Sequence, residues 1–225
     1  MATVVVDPTT ADGAVATIAA HGIRDRLTAP LIASVPGHNG GMSADWLTGR
    51  LLVATPQIEE GIFHRSVVLI LQHGADGAQG VVLNKPLEAE IDKVLPGWGE
   101  HVSVPQTLYQ GGPVQVDSAL GLVAIGSGTP TSVQKVFGRV GLVDLDAMPG
   151  LVAPELDGVR IFVGYAGWSP GQLETELAMG SWYAVDAATE DAFSRAPEDL
   201  WRAVLARQDG QLSWVALLPE DPSIN

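Results

Sequence analysis

The sequence predicts a mixed α+β fold in which short strands and a few helices share one core. Apolar runs bounded by glycine-rich turns recur along the chain and are typical of strands. By contrast, residues 197–208 place four large apolar side chains on one helical face: Leu200, Trp201, Val204 and Leu205. Of the 225 residues, 46% are hydrophobic, which is ample for the buried core of one large domain.

Eight strands are predicted, and in chain order they cover residues 51–54, 66–72, 80–83, 107–110, 119–125, 140–145, 159–163 and 182–185. The second and third flank the turn sequence HGADGAQG, so they are expected to form a hairpin. A helix is also predicted over residues 87–95, with Ile91, Val94 and Leu95 pointing inward.

The segment 164–182 reads GYAGWSPGQLETELAMGSW and is dense in glycine and tryptophan. Ser169 is a good N-cap residue, and Gln172 follows at the position that completes a capping box. Trp168 and Leu173 occupy the positions of a hydrophobic staple around the same helix start. The segment is therefore predicted to be a tight glycine turn that leads from the preceding strand into a helix.

The chain is strongly acidic, with 26 Asp and Glu against 12 Lys and Arg and a net charge of −14. This balance opposes approach to a polyanion, because phosphate neutralisation by Lys and Arg supplies most non-specific affinity for nucleic acids. No run of basic residues offsets it. Direct nucleic-acid binding is therefore disfavoured.

Composition also bears on the compartment. Cysteine is absent, which excludes a disulfide framework, a thiolate nucleophile and a cysteine-based zinc site. The longest apolar run, at residues 67–71, is far shorter than the ~20 residues of a membrane-spanning helix. The first residues lack the basic region of a signal peptide, so we predict a cytoplasmic protein with no membrane span.

The character of the sequence changes near residue 45. Residues 1–44 are rich in Ala, Thr, Gly and Pro and end in the linker-like sequence PGHNGGMS at 36–43. We therefore predict that residues 1–44 form a weakly packed or disordered N-terminal extension. Residues 45–225 are predicted to form a single domain.

Common catalytic signatures are absent: the chain has no G-x-S-x-G, H-E-x-x-H, Walker A or G-x-G-x-x-G motif. The five histidines show no metal-ligand spacing. We therefore predict no catalytic residue, no metal and no cofactor. Asp144 and Asp146, two residues apart on a predicted strand, point to one face and could hold Mg²⁺ or a water. A solvent-facing edge strand explains the pair equally well.

Three glycine turns, at 77–80, 111–113 and 164–171, adjoin predicted strands. They could converge on a pocket whose free N–H groups bind an anion or a peptide carboxylate, or they could be only sheet corners and bulges. Arg65 could bind an anionic group with its bidentate fork or pair with a nearby carboxylate. The ligand-binding candidates are Arg65, Asn84, Gly111, Gly112, Tyr165, Gly167 and Gln172.

Five blocks carry a resemblance to a known family. They are LLVATP (51–56), FHRSVVLILQH (63–73), GAQGVVLNKP (77–86), YQGGPV (109–114) and GYAGWSPGQLETEL (164–177). In this order they resemble the YqgE/AlgH family of bacterial proteins. The resemblance implies a compact fold with a curved, barrel-like mixed sheet and helices outside it, and no agreed activity. One branch of the family carries a transcriptional-regulator label. The long N-terminal extension and Gly74 after His73 depart from the family pattern.

The function remains open between three hypotheses. The favoured one is a non-enzymatic binding or regulatory module that engages a protein partner or small ligand at a face built from the glycine turns. The first alternative is a hydrolase-like enzyme of unrecognised type that uses Tyr165, Asn84, Arg65 or the Asp144 and Asp146 pair. The second alternative is a DNA-binding transcriptional regulator, and only the family label suggests it.

Overall fold

The computed structural model describes residues 47–128 and 132–219, so the predicted extension at 1–44 lies outside the described residues. The predicted α+β class is confirmed. The strands are β1 (Arg50–Ala54), β2 (Val67–Gly74), β3 (Gly77–Val82), β4 (Leu108–Gln110), β5 (Val114–Ile125), β6 (Val133–Phe137), β7 (Val140–Val143), β8 (Leu156–Trp168) and β9 (Trp182–Asp186). They form one sheet in the order β6-β7-β5-β8-β3-β2-β1-β9, with β4 also paired to β8.

Among the described residues, six short helices accompany the sheet. They are α1 (Ile91–Val94), α2 (Pro149–Val152), α3 (Gln172–Ala178), α4 (Thr189–Ala192), α5 (Leu200–Ala206) and α6 (Gln211–Val215), and 3₁₀ turns cover Gly99–His101, Ala153–Glu155 and Pro197–Asp199. Within the described parts of the chain, no helix is long and apolar enough to cross a membrane.

The sheet curls into a half-barrel around α5. The inner face buries residues from both halves of the sheet, and all four predicted apolar residues of α5 lie there: Leu200, Trp201, Val204 and Leu205. The curl brings the end of β6 close to the start of β1, since a Cβ added to Gly49 would lie 2.6 Å from Cβ of Phe137. The outer face carries two further clusters, one under α1 and the other under α3. The helices therefore pack on both faces of one curved sheet.

Two local predictions hold with adjusted boundaries. The predicted hairpin is confirmed, because β2 and β3 pair antiparallel and close at Gly74 and Gly77. The helix predicted over residues 87–95 is only four residues long, since the Leu87 N–H donates to Leu108 O and so continues the pairing with β4. Its three inward residues are buried, as predicted: Ile91, Val94 and Leu95. Strand β6 was not predicted, and β7 ends at Val143, before the predicted end at 145.

Strand β8 is the centre of the sheet and is longer than predicted. It runs 13 residues and pairs along most of its length with β5. On its other side it pairs first with β4, in parallel at residues 161–163, and then with β3, antiparallel at residues 166–168. The segment 164–168 is therefore part of a strand and not the tight turn that the sequence predicts.

Gly164 explains why a strand can carry this turn-like sequence. Its φ is +67°, a left-handed conformation that glycine adopts without steric cost. Val163 and Ala166, three residues apart, both lie in clusters of the outer face, so the alternation of side chains shifts at Gly164. Gly164 is thus a bulge at which β8 leaves β4 and joins β3.

Candidate functional site

The glycine turns do come together, but the backbone of one turn occupies the space beside the glycines of another. A Cβ added to Gly111 would lie 2.3 Å from Gly164 O, and one added to Gly112 would lie 2.1 Å from the carbonyl carbon and oxygen of Tyr165. The Gly111 N–H donates to Val163 O, and the Gly111 carbonyl accepts from the Val82 N–H, both at 2.8 Å. This backbone-to-backbone packing favours the sheet-corner alternative over a ligand pocket for Gly111 and Gly112.

Tyr165 and Gly167 lie just beyond this junction on β8. Tyr165 is half-buried against the inner cluster, and its ring lies beside Gly167, since Cε2 is 3.4 Å from a Cβ built on that glycine. Gly167 itself is exposed. The two residues form a strand surface next to Val114 of β5.

Gln172 stabilises the start of α3. Its Oε1 accepts from the Ser169 N–H at 3.0 Å, which is the side-chain half of the predicted capping box. The helix nevertheless begins at Gln172, later than predicted, because Gly171 precedes it with a φ of +76°. The predicted N-cap at Ser169 is therefore wrong, and Ser169 belongs to the turn before the helix. Both polar atoms of the Gln172 amide are engaged, since Nε2 donates to Glu176 Oε1 at 2.9 Å.

Glu176 joins two tryptophans, an arrangement that sequence reasoning missed. Its Oε2 accepts from Trp168 Nε1 at 2.9 Å and from Trp182 Nε1 at 2.8 Å. The two indole rings meet edge-to-face, with centroids 6.2 Å apart. We call Glu176, Trp168 and Trp182 the indole clip. It fastens α3 to β8 and β9, so much of the unusual composition of residues 164–182 has a structural explanation.

Asp144 and Asp146 are both exposed and lie after β7, not on a strand as predicted. The Asp144 carboxylate accepts from the Asp146 N–H at 2.9 Å, a side-chain turn of the kind that Asp often forms. Among residues 47–128 and 132–219, no group of three or more His, Asp or Glu side chains could hold a metal ion. The two aspartates therefore belong to a turn that is exposed to solvent.

Arg65 and Asn84, by contrast, are brought together. Asn84 is buried, and its amide holds the turn before β2: Oδ1 accepts from the Val67 N–H and Nδ2 donates to Arg65 O, both at 2.9 Å. Lys85 Nζ donates to His64 O at 2.8 Å, and burial lowers the pKa of this lysine. These contacts hold Arg65 at a φ of +48°, which is uncommon for a residue with a side chain. Such a conformation persists only where surrounding contacts enforce it, and it clusters at functional sites.

The Arg65 side chain forms one wall of a cleft of about 450 Å³. Its guanidinium carbon lies 4.7 Å from the centroid of the Trp201 ring. Its Nη2 donates to Leu218 O at 3.2 Å and also to Pro219 O. Trp201 is fixed in turn, because its Nε1 donates to Ala54 O at 2.9 Å. We call this the Arg65 cleft; its other lining residues include Pro56, Glu59, Glu60 and His64.

An AlgH-like family model, DUF179, matches residues 51–213. The chain belongs to this family. A UPF0301 protein of Streptomyces avermitilis is 50% identical over 184 residues, which cover 80% of this chain and 95% of the relative. One of Thermobifida fusca is 44% identical over 194 residues, covering 80% of this chain and 96% of the relative. These names state no activity, and the family is uncharacterised.

Two solved structures share the fold of this AlgH-like chain. Protein DIP2367 of Corynebacterium diphtheriae is 31% identical, with a TM-score of 0.73 over 81% of this chain and 95% of that one. The AlgH protein of Pseudomonas aeruginosa is 26% identical, with a TM-score of 0.59 over 82% of this chain and 98% of that one. The predicted family and its curved sheet are therefore confirmed.

The sequence did not reveal the roles of two further residues of this AlgH-like chain, Trp201 and Arg160. Trp201 was assigned only to the core, although its ring also supports Arg65. Arg160 was read as part of an apolar strand, yet it is fully buried beside Tyr109. One signal was available. Arg160 and Phe162 are two residues apart on a strand, so their side chains must share one face of the sheet. No local signal pointed to Trp201 as the partner of Arg65.

His73 and Glu174 give a pH-dependent prediction. His73 Nε2 lies 2.8 Å from Glu174 Oε1, and a hydrogen bond from the Glu174 backbone N–H, followed by that of His73, lowers the pKa of this carboxyl. A lowered folded-state pKa contributes stability above the ordinary carboxyl pKa, and this stability is lost as the pH falls through the lowered value. The Glu174 side chain is 47% exposed, so we expect Glu174→Gln to lower the free energy of unfolding at neutral pH by less than about 1 kcal/mol.

Urea unfolding of wild type and Glu174→Gln at neutral and acid pH checks this prediction. The difference between the two proteins should shrink as the pH falls. A difference that stays constant with pH would show that the carboxylate charge contributes nothing.

Proposed function

We propose that the protein is a non-catalytic binding module that holds an extended segment of a protein partner in the Arg65 cleft. One observation carries the proposal: a guanidinium fixed over an indole ring donates to two consecutive main-chain carbonyls, those of Leu218 and Pro219. Carbonyl oxygens are common to every peptide, so these contacts suit the backbone of an extended chain. The chain's own residues occupy the position that a partner segment would take.

The composition of the cleft supports a peptide over a small polar substrate. Pro56 is exposed and offers apolar surface, which suits proline and aliphatic side chains. Trp201 is only 2% exposed and acts by supporting the Arg65 guanidinium. Glu59 and Glu60 line the same cleft in a chain whose net charge is −14, so basic residues in the partner are favoured. An enzymatic role gains no support here, because both polar atoms of the Asn84 amide hold backbone groups.

An apolar surface extends this region of the molecule. Trp214 is 74% exposed and Leu217 is 79% exposed, next to Leu218 in the chain. Large exposed side chains in one stretch are unusual for a surface without a partner and typical of protein contact sites. The proposal thus moves the binding face from the glycine turns to the cleft. It retains the cytoplasm as the compartment, which cell fractionation checks.

Site-specific photo-crosslinking in living bacterial cells tests the proposal. A photoreactive amino acid at Glu60, inside the cleft, should give a discrete protein adduct. The same amino acid at Asp146, an exposed position after β7 outside the lining of the cleft, serves as the matched control and should not. Adding Arg65→Gln should lower the adduct yield about tenfold, because hydrogen bonds from a charged donor contribute roughly 1.5–3 kcal/mol.

Thermal unfolding of the Arg65→Gln protein accompanies this experiment, to separate loss of binding from loss of folding. Equal adducts at Glu60 and Asp146, or a Glu60 adduct that is unchanged by Arg65→Gln in a folded protein, would contradict the proposal. Absence of any adduct at Glu60 would contradict it as well.

A further inference from the structure

A second feature, separate from the Arg65 cleft, is a buried arginine that lacks a counter-ion among the described residues. Arg160 lies on the inner face of β8, and its exposed fraction is 0%. Within residues 47–128 and 132–219, Arg160 donates hydrogen bonds from Nη2 alone. The acceptors are Ser194 O at 2.8 Å and, more weakly, Val104 O at 3.4 Å. Nε and Nη1 are buried and have no hydrogen-bond partner in this part of the chain.

Tyr109 adds a third donor at the same place. The Arg160 guanidinium carbon lies 4.5 Å from the centroid of its ring, and the Tyr109 hydroxyl is also buried without a partner among the described residues. Burial raises the pKa of Tyr109, so its hydroxyl keeps its proton and can donate near neutral pH. Three polar N–H and O–H groups that ordinarily find partners are therefore gathered in one apolar region.

The missing partner is best supplied by an oxyanion. An arginine cannot shed its charge in a protein, and an unpaired buried charge is costly, so an acceptor that carries a negative charge compensates it best. Other arginines of this chain are paired with carboxylates: Arg50 with Asp186, Arg139 with Asp157 and Arg207 with Asp191. The charge of Glu198 adds to the effect of burial in raising the pKa of Tyr109. The Glu198 side chain is exposed, however, so it is not the buried partner of Arg160.

A cleft adjoins the residues that hold the guanidinium. This cleft of about 740 Å³ is lined in part by Val104 and Ser194, the two residues whose carbonyls hold the Arg160 guanidinium. We call it the Ser194 cleft. Its size suits a small metabolite. Two arginines and three acids also line it: Arg139, Arg195, Asp157, Glu190 and Asp191. The positive charge that attracts an oxyanion is therefore that of Arg160 itself.

We propose that Arg160 and Tyr109 form an anion-binding subsite behind the Ser194 cleft, which takes the carboxylate or phosphate group of a small molecule. The oxyanion accepts from the free N–H groups of Arg160 and from the Tyr109 hydroxyl. The rest of the ligand occupies the cleft. Access requires the Val104 or Ser194 segment to shift, so binding at this subsite couples to the wall of the cleft.

Nuclear magnetic resonance of the full chain with ¹⁵N-labelled arginine tests this subsite directly. The Arg160 Nε–Hε peak, assigned by its loss in Arg160→Lys, is followed as inorganic phosphate or succinate is added at constant ionic strength. A saturable shift with one or both oxyanions is expected, and which of them binds tells a phosphate ligand from a carboxylate ligand. Neutral succinamide, of nearly the same shape as succinate, should give none.

Two variants localise the effect. Tyr109→Phe removes only a hydroxyl and should raise the Kd about tenfold, the usual consequence of losing a hydrogen bond to a charged group. Arg139→Gln, at an exposed arginine that lines the same cleft, should change the Kd less than about threefold. The proposal is overturned if neither oxyanion shifts the Arg160 peak, if Tyr109→Phe binds as tightly as wild type, or if Arg139→Gln abolishes binding.

Discussion

Replacing Gly112 with alanine is expected to lower the free energy of unfolding by about 3 kcal/mol or more, or to prevent folding. The added Cβ would lie 2.1 Å from the carbonyl carbon and oxygen of Tyr165, which are main-chain atoms. Those atoms cannot move aside, because β8 is paired on both of its sides near this point. The close approach of Gly112 to β8 is therefore a steric requirement of the sheet.

Gly74→Ala is the matched control. No atom lies within 4 Å of a Cβ built on Gly74, and its φ is not in the left-handed region. Its free energy of unfolding should stay within roughly 0.5 kcal/mol of wild type. Thermal or urea unfolding of both variants measures the difference. Equal stability of the two variants would mean that Gly112 is loosely packed, and a ligand pocket at the glycine turns would again be reasonable.

The parts of the fold that the sequence predicts well are those decided by local pattern. The hairpin of β2 and β3 closes at glycine residues, and α5 shows its apolar face at helical spacing. The continuation of β8 past Gly164 was not predictable in this way. A glycine inside an apolar run signals a turn as readily as a bulge, and the choice depends on the backbone of Gly112, distant in sequence.

The candidate site shows the same division. Arg65 and Asn84 were singled out by residue type, and the structure places them in contact through Asn84 Nδ2 and Arg65 O. What Arg65 touches could not be predicted, since Trp201 and Leu218 reach it only through the curl of the sheet. The buried state of Arg160 was implied by strand alternation, but an arginine in an apolar run is easily read as an edge residue.

Replacing Glu176 with alanine is expected to lower the free energy of unfolding by about 2–4 kcal/mol. The carboxylate accepts from two indole N–H groups, and the tryptophans that carry them are only 7% and 5% exposed. Without Glu176 both donors stay buried and unpaired, which costs more than the hydrogen bonds themselves contributed. Glu174→Gln, on the same helix, gives the reference for loss of a half-exposed acid.

A double-mutant cycle isolates the indole clip. Trp182→Phe removes one of the two donors, so Glu176→Ala should be less damaging in that background, by about 1 kcal/mol or more. Additive effects would mean that the 2.8 Å contact contributes nothing to stability. Crosslinking at Glu60 can be repeated in a folded Glu176→Gln protein. If the cycle shows coupling and this crosslinking is unchanged, the segment 164–182 stabilises the fold and takes no part in binding. Binding would then belong to the Arg65 cleft, which shares no lining residue with the clip.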